Sequence, residues 1–214
     1  MKLDIILPVG PGHQELVNEA IQSVKIACLT SQGPFKEVRI KAIDDTKGEM
    51  GRSAARNHAI KNSTADWLFF LDADDLMHPK AMQHFTEFRN YDAVWGAILE
   101  EHEGCFLERY QMPEIKSIDV LLDVDPFYTL QMGFFIKRHC MPLFDEDMNT
   151  GEDWKAYLEI WSKHKCRKQS LPFMINRRGR HSIGTRSATG REWMIAVSGL
   201  IEAEKRARAI RLSA

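Results

Sequence analysis

The chain has 214 residues, with 29 Lys and Arg against 30 Asp and Glu, and 44% of its residues are hydrophobic. That length suits one sizeable core, and no stretch approaches the roughly 18 apolar residues that a membrane-crossing helix needs. An acid at Asp4, ahead of a short apolar segment ending at Pro8, makes a poor signal peptide, so a cytoplasmic location is expected. Cys28, Cys105, Cys140 and Cys166 are widely spaced and form no Cys-x-x-Cys pair, which points to reduced, structural thiols and indicates neither a zinc site nor a disulfide framework.

The elements follow in chain order. Leu3 to Leu7 is a short apolar strand closed by the loop Pro8-Val9-Gly10-Pro11-Gly12. From Gln14 to Leu29, apolar Leu16, Val17, Ala20, Ile21, Val24 and Ala27 recur at helical spacing. Residues 37–43 predict a second strand ending at Asp44-Asp45-Thr46, residues 52–61 a helix, and residues 66–71 a third strand. This β-α-β-α-β succession predicts a parallel sheet with right-handed crossovers. Beyond it, a helix is expected over 79–89 and strands over 92–99 and 105–110. A short helix over 117–122, a strand over 129–137 and a helix over 152–163 follow. Residues 166–178 read as extended, 179–190 as a loop, and the remainder as helix. Charge divides unevenly. Residues 1–153 carry 15 basic and 26 acidic side chains, whereas residues 154–214 carry 14 basic and 4 acidic. Such asymmetry suggests an anionic ligand near the C-terminal part, or a solvated helical face.

The third strand carries the strongest signal. Trp67-Leu68-Phe69-Phe70-Leu71 is an unbroken apolar run of the kind buried on both faces of a sheet, and it leads straight into Asp72-Ala73-Asp74-Asp75. At the carboxyl edge of an open α/β sheet, where ligands collect, clustered acids suit a hard divalent cation and a phosphate. The alternative is that they solvate a turn and cap the following helix. Asp44-Asp45 would lie on the same edge, where a carboxylate can accept a hydrogen bond from a nucleobase or ribose. In Gly51-Arg52-Ser53-Ala54-Ala55-Arg56-Asn57, small residues permit close helix packing while Arg52 and Arg56 can approach a base or diphosphate. Glu152-Asp153, at a predicted helix start, suits either the helix dipole or a general base. Trp154 reads as core or as an acceptor contact.

Taken in order, Ile5 to Val9, Ile43 to Thr46, Gly51 to Asn57, Leu71 to Asp75, Met132 to Arg138, and Phe144 to Asp147 through Gly151-Glu152-Asp153 resemble family 2 glycosyltransferases. The resemblance implies an α/β GT-A fold, with a mostly parallel central sheet flanked by helices. It covers a core over residues 1–165, with a basic extension over 166–214 (strand, loop and terminal helix) packed on the same domain. It implies donor contacts from Pro8, Val9, Asp45, Arg52, Asp72 and Asp74, Mn²⁺ or Mg²⁺ held by Asp74 and Asp75, and Asp153 as the base of an inverting transfer. His181 is a further candidate metal ligand. In the same segment, Arg177, Arg178, Arg180 and Arg186 are candidates to close over the diphosphate. The expected donor is a nucleotide-diphosphate sugar. The basic C-terminal part suggests an anionic acceptor, such as a modified nucleic-acid base or a polyanionic glycan. Lys47-Gly48 departs from the Gly-Ser usual in the family. Two other classes compete: a GT-A-like nucleotidyltransferase, disfavoured because Gly10-Pro11-Gly12-His13 carries no nearby Lys or Arg, and a non-catalytic nucleotide-binding protein.

Overall fold

A computed structural model describes residues 1–102, 104–108, 111–177 and 190–213. The apolar run of the third strand lies at the centre of one mixed sheet. Strands β1 (Lys2–Val9), β2 (Glu37–Asp44) and β3 (Trp67–Phe70) are parallel in the order β2-β1-β3, joined by helices α1 (Val17–Thr30) and α2 (Arg52–Lys61). This is the parallel half that the β-α-β-α-β pattern predicts. The remainder comprises β4 (Leu76–Met77), β5 (Ala93–His102), β6 (Cys105–Glu108), β7 (Phe134–Lys137) and β8 (Cys166–Arg177). The sheet continues β3-β7-β5-β8-β4, with β6 also paired to β5. Strand β7 runs antiparallel to both β3 and β5, while β5 and β8 are parallel.

Alternation along β3 divides the core into two layers. Trp67, Phe69 and Leu71 face α1 and α3 (Ala81–Phe85), packing with Val24, Phe85 and Phe135. Leu68 and Phe70 face the opposite layer, built from α2, α4 (Ile118–Asp123), α5 (Glu152–Lys163) and α6 (Gly190–Ser213). There Trp95 stacks on Phe134 at 4.6 Å, and Val197 and Ile201 of α6 close the layer. Leu68, Phe69 and Phe70 are fully buried, each contributing on the order of 1.5–3 kcal/mol relative to exposure. A strand covered on both faces leaves no apolar surface to hide at its end, so the chain can turn polar at Asp72 without exposing the core.

Several boundaries differ from expectation. The strand expected over 129–137 is confined to Phe134–Lys137 because a 3-10 turn at Pro126–Tyr128 and Gly133, at φ 90°, break the extended backbone; Gly133 still donates its N–H to the Phe70 carbonyl at 2.9 Å. The helix expected over 79–89 tightens into a 3-10 turn after Phe85. Helix α1 starts at Val17, after turns in which the Leu16 and Val17 N–H groups both bond the His13 carbonyl. The two-residue strand β4 is too short to leave a periodic signal. Among the described residues no helix is long and apolar enough to cross a membrane.

Candidate active site

Because β1, β2 and β3 are parallel, Val9, Asp45 and Asp72 leave the sheet at one edge. The Asp45 N–H bonds the Val9 carbonyl at 2.8 Å, joining the two strand ends, and both Pro8 and Val9 are buried there. The Asp45 carboxylate, 7% exposed, accepts the N–H groups of Met50 (2.9 Å) and Gly51 (2.8 Å). It therefore anchors the loop that starts α2, and any base contact falls to its remaining lone pairs. Gly51 sits at φ 81°, which turns its N–H toward this carboxylate and launches α2 across the edge.

Helix α5 enters the same edge through a second left-handed glycine, Gly151 at φ 78°. Its first two residues meet α2. The Arg52 guanidinium grips Glu152 with two short contacts (2.7 and 2.9 Å) and donates to the Asn149 carbonyl at 2.9 Å. The Arg56 guanidinium, 5% exposed, donates to Asp72 at 2.7 Å, lies 3.6 Å from Glu152, and covers the Phe144 ring at 5.4 Å. Burial works against its charge, but Asp72 and Glu152 outweigh that effect and hold its pKa above the ordinary value. Asn57 adds a brace, exchanging hydrogen bonds with the Phe144 backbone (both 2.8 Å) and donating to Glu146 at 2.7 Å.

Asp153 lies beside this network. Its carboxylate accepts the Trp154 N–H at 2.8 Å, and burial, reinforced by neighbouring Glu152, raises its pKa to about 6. Tyr157, one helical turn further along, is fully buried. Its hydroxyl has no hydrogen-bond partner, and its pKa is pushed well up by burial and then by Asp153. Arg56 likewise keeps Nε and Nη1 without hydrogen-bond partners. Buried polar atoms in this condition are costly to leave unmade and mark where a polar guest or water belongs. Trp154 is core: it is completely buried with Phe70 and Tyr157 in the α5 layer.

The acidic turn faces the other side of the edge. Asp74 stands 4.0 Å from His13 Nε2, whose two ring nitrogens are buried without hydrogen-bond partners. Asp75, 4% exposed, accepts from Asn176 (3.1 Å) and the Arg177 N–H (3.2 Å) of β8. Its pKa is driven well up, first by burial and then by Asp74 and Asp72, which favours its protonated form. The expectation that Arg177 closes over a diphosphate is corrected. At 1% exposure it donates to the Asp74 carbonyl at 2.7 Å and pairs with Glu19 of α1, locking the turn from within. A guanidinium that buried stays where its partners hold it. His181, Arg178, Arg180 and Arg186 lie outside the described residues.

The fold thus brings Asp72, Arg56, Glu152 and Asp153 together, with Asp74 and Asp75 on the adjoining turn, and directs Arg52 to Glu152. Tyr157 and His13 were not singled out from sequence. Tyr157 carried one available signal, since it falls four residues after Asp153 and hence on the same helical face.

Residues 22–193 match the family model described as glycosyl transferase family 2. The chain belongs to that family. It is 28% identical over 106 residues to the poly(ribitol-phosphate) beta-N-acetylglucosaminyltransferase TarP of Staphylococcus aureus, a match covering 47% of this chain and 32% of TarP. Among solved structures, S. aureus TarS 1-349 in complex with UDP-GlcNAc aligns with a TM-score of 0.68 at 15% identity, over 95% of this chain and 66% of that one. Glucosyl-3-phosphoglycerate synthase from Mycobacterium tuberculosis, in complex with Mn²⁺, UDP-glucose and phosphoglyceric acid, aligns with a TM-score of 0.54 at 12% identity, over 94% of this chain and 80% of that one. The chain spans about a third of the length of its curated relative TarP. At these identities the solved structures speak for the fold, and they match the α/β GT-A architecture expected from sequence.

Proposed function

We propose that this chain transfers a sugar from a nucleoside-diphosphate donor to a hydroxyl acceptor with inversion, Asp153 serving as the base. The observation that carries the proposal is the placement of Asp153 at the start of α5, beside the Arg56–Asp72 pair, with a pKa of about 6. A carboxylate so tuned is ionised at neutral pH yet basic enough to take a proton from an attacking hydroxyl. The Trp154 N–H bonds it from its own helix, and Arg52 and Arg56 hold Glu152 so that the helix start keeps its position. Asp72, Asp74 and the loop behind Asp45 form the donor side. UDP-GlcNAc is the favoured donor because a TarS structure of the same fold carries it.

The donor side fits a divalent cation. Asp74 and His13, 4.0 Å apart, offer a carboxylate and an imidazole, and the adjoining Asp75, raised by burial and then by Asp74 and Asp72, adds a carboxyl that a cation would favour in its ionised form. Mn²⁺ or Mg²⁺ bound there would supply charge neutralisation for the departing nucleoside diphosphate.

The acceptor we favour is a phosphate-rich glycan polymer. The support is the basic balance of residues 154–214 and the poly(ribitol-phosphate) substrate in the name of TarP. Part of that balance is committed internally: Arg208 pairs with Asp119 and Lys205 with Asp123, both on α4. Arg191 and Arg206 are exposed on α6. The direct test is release of UDP from UDP-GlcNAc with Mn²⁺, with and without poly(ribitol phosphate). Polymer-stimulated release, lost in Asp153→Asn, supports the proposal; equal release by both proteins overturns the assignment of the base.

A further inference from the structure

At the sheet edge opposite the carboxylate cluster, the chain gathers residues that its sequence keeps apart. Asp92 precedes β5, Cys140 ends the 3-10 turn after β7, and His164 caps the C-terminus of α5. One ligand atom from each, a carboxylate oxygen, Sγ and a ring nitrogen, lie within 4.8 Å of one another. Cys140 is 5% exposed, while Asp92 and His164 are half-buried and leave a mouth to solvent. The backbone around them is firmly tied. The Asp92 N–H bonds the Lys165 carbonyl at 2.7 Å, the Lys137 N–H bonds the Asp92 carbonyl at 2.8 Å, and the Lys165 N–H bonds Asp92 Oδ2 at 2.9 Å.

We propose that Asp92, Cys140 and His164 form a binding site for a borderline-soft divalent cation, with Zn²⁺ the best match, distinct from the cation proposed at Asp74. Thiolate, imidazole and carboxylate are the three ligand types zinc prefers, and a tetrahedral zinc holds such atoms about 3.5 Å apart, so closure draws the side chains inward by up to about 1.3 Å. Solvent takes the fourth position. Cys166 is nearby, but its thiol donates to the Ile160 carbonyl at 3.6 Å and is not counted among the ligands. The Lys137 ammonium, 2.8 Å from Asp92 Oδ1, competes with the cation for that carboxylate. Binding displaces the proton of the Cys140 thiol to solvent, and the bound ion joins the ends of β7 and α5 to the start of β5. Helix α5 then runs from the clasp at His164 to Glu152 and Asp153, so the ion holds the far end of the helix that carries the proposed base.

The test uses the chelator-treated 214-residue chain titrated with Co²⁺, read by absorption, with Zn²⁺ as competitor. One equivalent of Co²⁺ is expected to give a thiolate-to-cobalt charge-transfer band that Zn²⁺ abolishes. The all-oxygen and imidazole donors near Asp74 cannot produce that band. Cys140→Ala should remove it, His164→Gln should weaken binding roughly tenfold or more, and Lys137→Gln should tighten it. Asp74→Asn and Cys105→Ser should leave it unchanged. If Cys140→Ala fails to fold, the His164→Gln and Lys137→Gln titrations decide the question. No charge-transfer band at several equivalents, a band that survives in Cys140→Ala, or affinity unaltered in His164→Gln would overturn the site.

Discussion

Replacing Asp153 with Asn should separate catalysis from stability. In the folded chain burial and Glu152 raise the Asp153 pKa from 3.8 to about 6. A carboxyl raised in the fold is bound more tightly to its proton there than in the unfolded chain. Stability is therefore full below about pH 4, falls as pH rises through the folded pKa, and at pH 7 is lower by at most about 3 kcal/mol, because two pKa units correspond to about 2.7 kcal/mol. Asn keeps an oxygen that can accept the Trp154 N–H and carries no charge. Asp153→Asn should accordingly melt several degrees higher than the parent at pH 7, at about 2–4 °C per kcal/mol for a chain of this size. The gap should close by pH 4. Turnover should drop by about 10²–10⁴-fold, the usual value of a positioned base. In the parent, kcat/KM should fall below about pH 6 as Asp153 takes up its proton. Differential scanning calorimetry across pH 4–7, alongside UDP release from UDP-GlcNAc, reads all of these. A variant that melts lower at pH 7 by a margin independent of pH, or that turns over at the parental rate, would refute the reasoning.

Other perturbations address the supporting network. Arg56→Met should destabilise the fold by about 3–5 kcal/mol in urea titrations, because it leaves Asp72 and Glu152 without their buried cation; a loss below 1 kcal/mol would mean that solvent compensates them. Asn57→Ala should cost about 2–3 kcal/mol, because the Phe144 N–H and carbonyl lose their partners together. Tyr157→Phe should leave the melting temperature unchanged or raise it slightly, since its hydroxyl makes no hydrogen bond in the fold. Binding of poly(ribitol phosphate) should weaken steeply between low and high salt; a salt-independent constant would remove the proposed role of the basic C-terminal part.

Much of the architecture was legible because period and burial agree. Trp67 to Leu71 reads as a doubly buried strand because each alternate residue has a hydrophobic layer to enter, and the match to glycosyl transferase family 2 bears out the resemblance drawn from the ordered motifs. Helices α2 and α5 were located to the residue because a glycine at positive φ begins each. The antiparallel placement of β7 was not legible, since a four-residue apolar strand has the same pattern in either direction. Nor did charge type reveal partner choice. Arg177 read as a candidate to close over the diphosphate, but it is locked between Glu19 and the Asp74 carbonyl, and the reach of Arg52 across to Glu152 of α5 carried no local signal. Such pairings depend on contacts between residues 100 to 158 positions apart, which local spacing does not encode.

Calorimetric titration of the protein with UDP-GlcNAc, in Mn²⁺ and then in EDTA, tests the proposed site most directly. The predicted result is one binding site that weakens sharply in EDTA and in Asp74→Asn but persists in Asp153→Asn, which lacks only the proposed base. Binding indifferent to both Mn²⁺ and Asp74, or no binding of UDP-GlcNAc or any other nucleoside-diphosphate sugar, would contradict it.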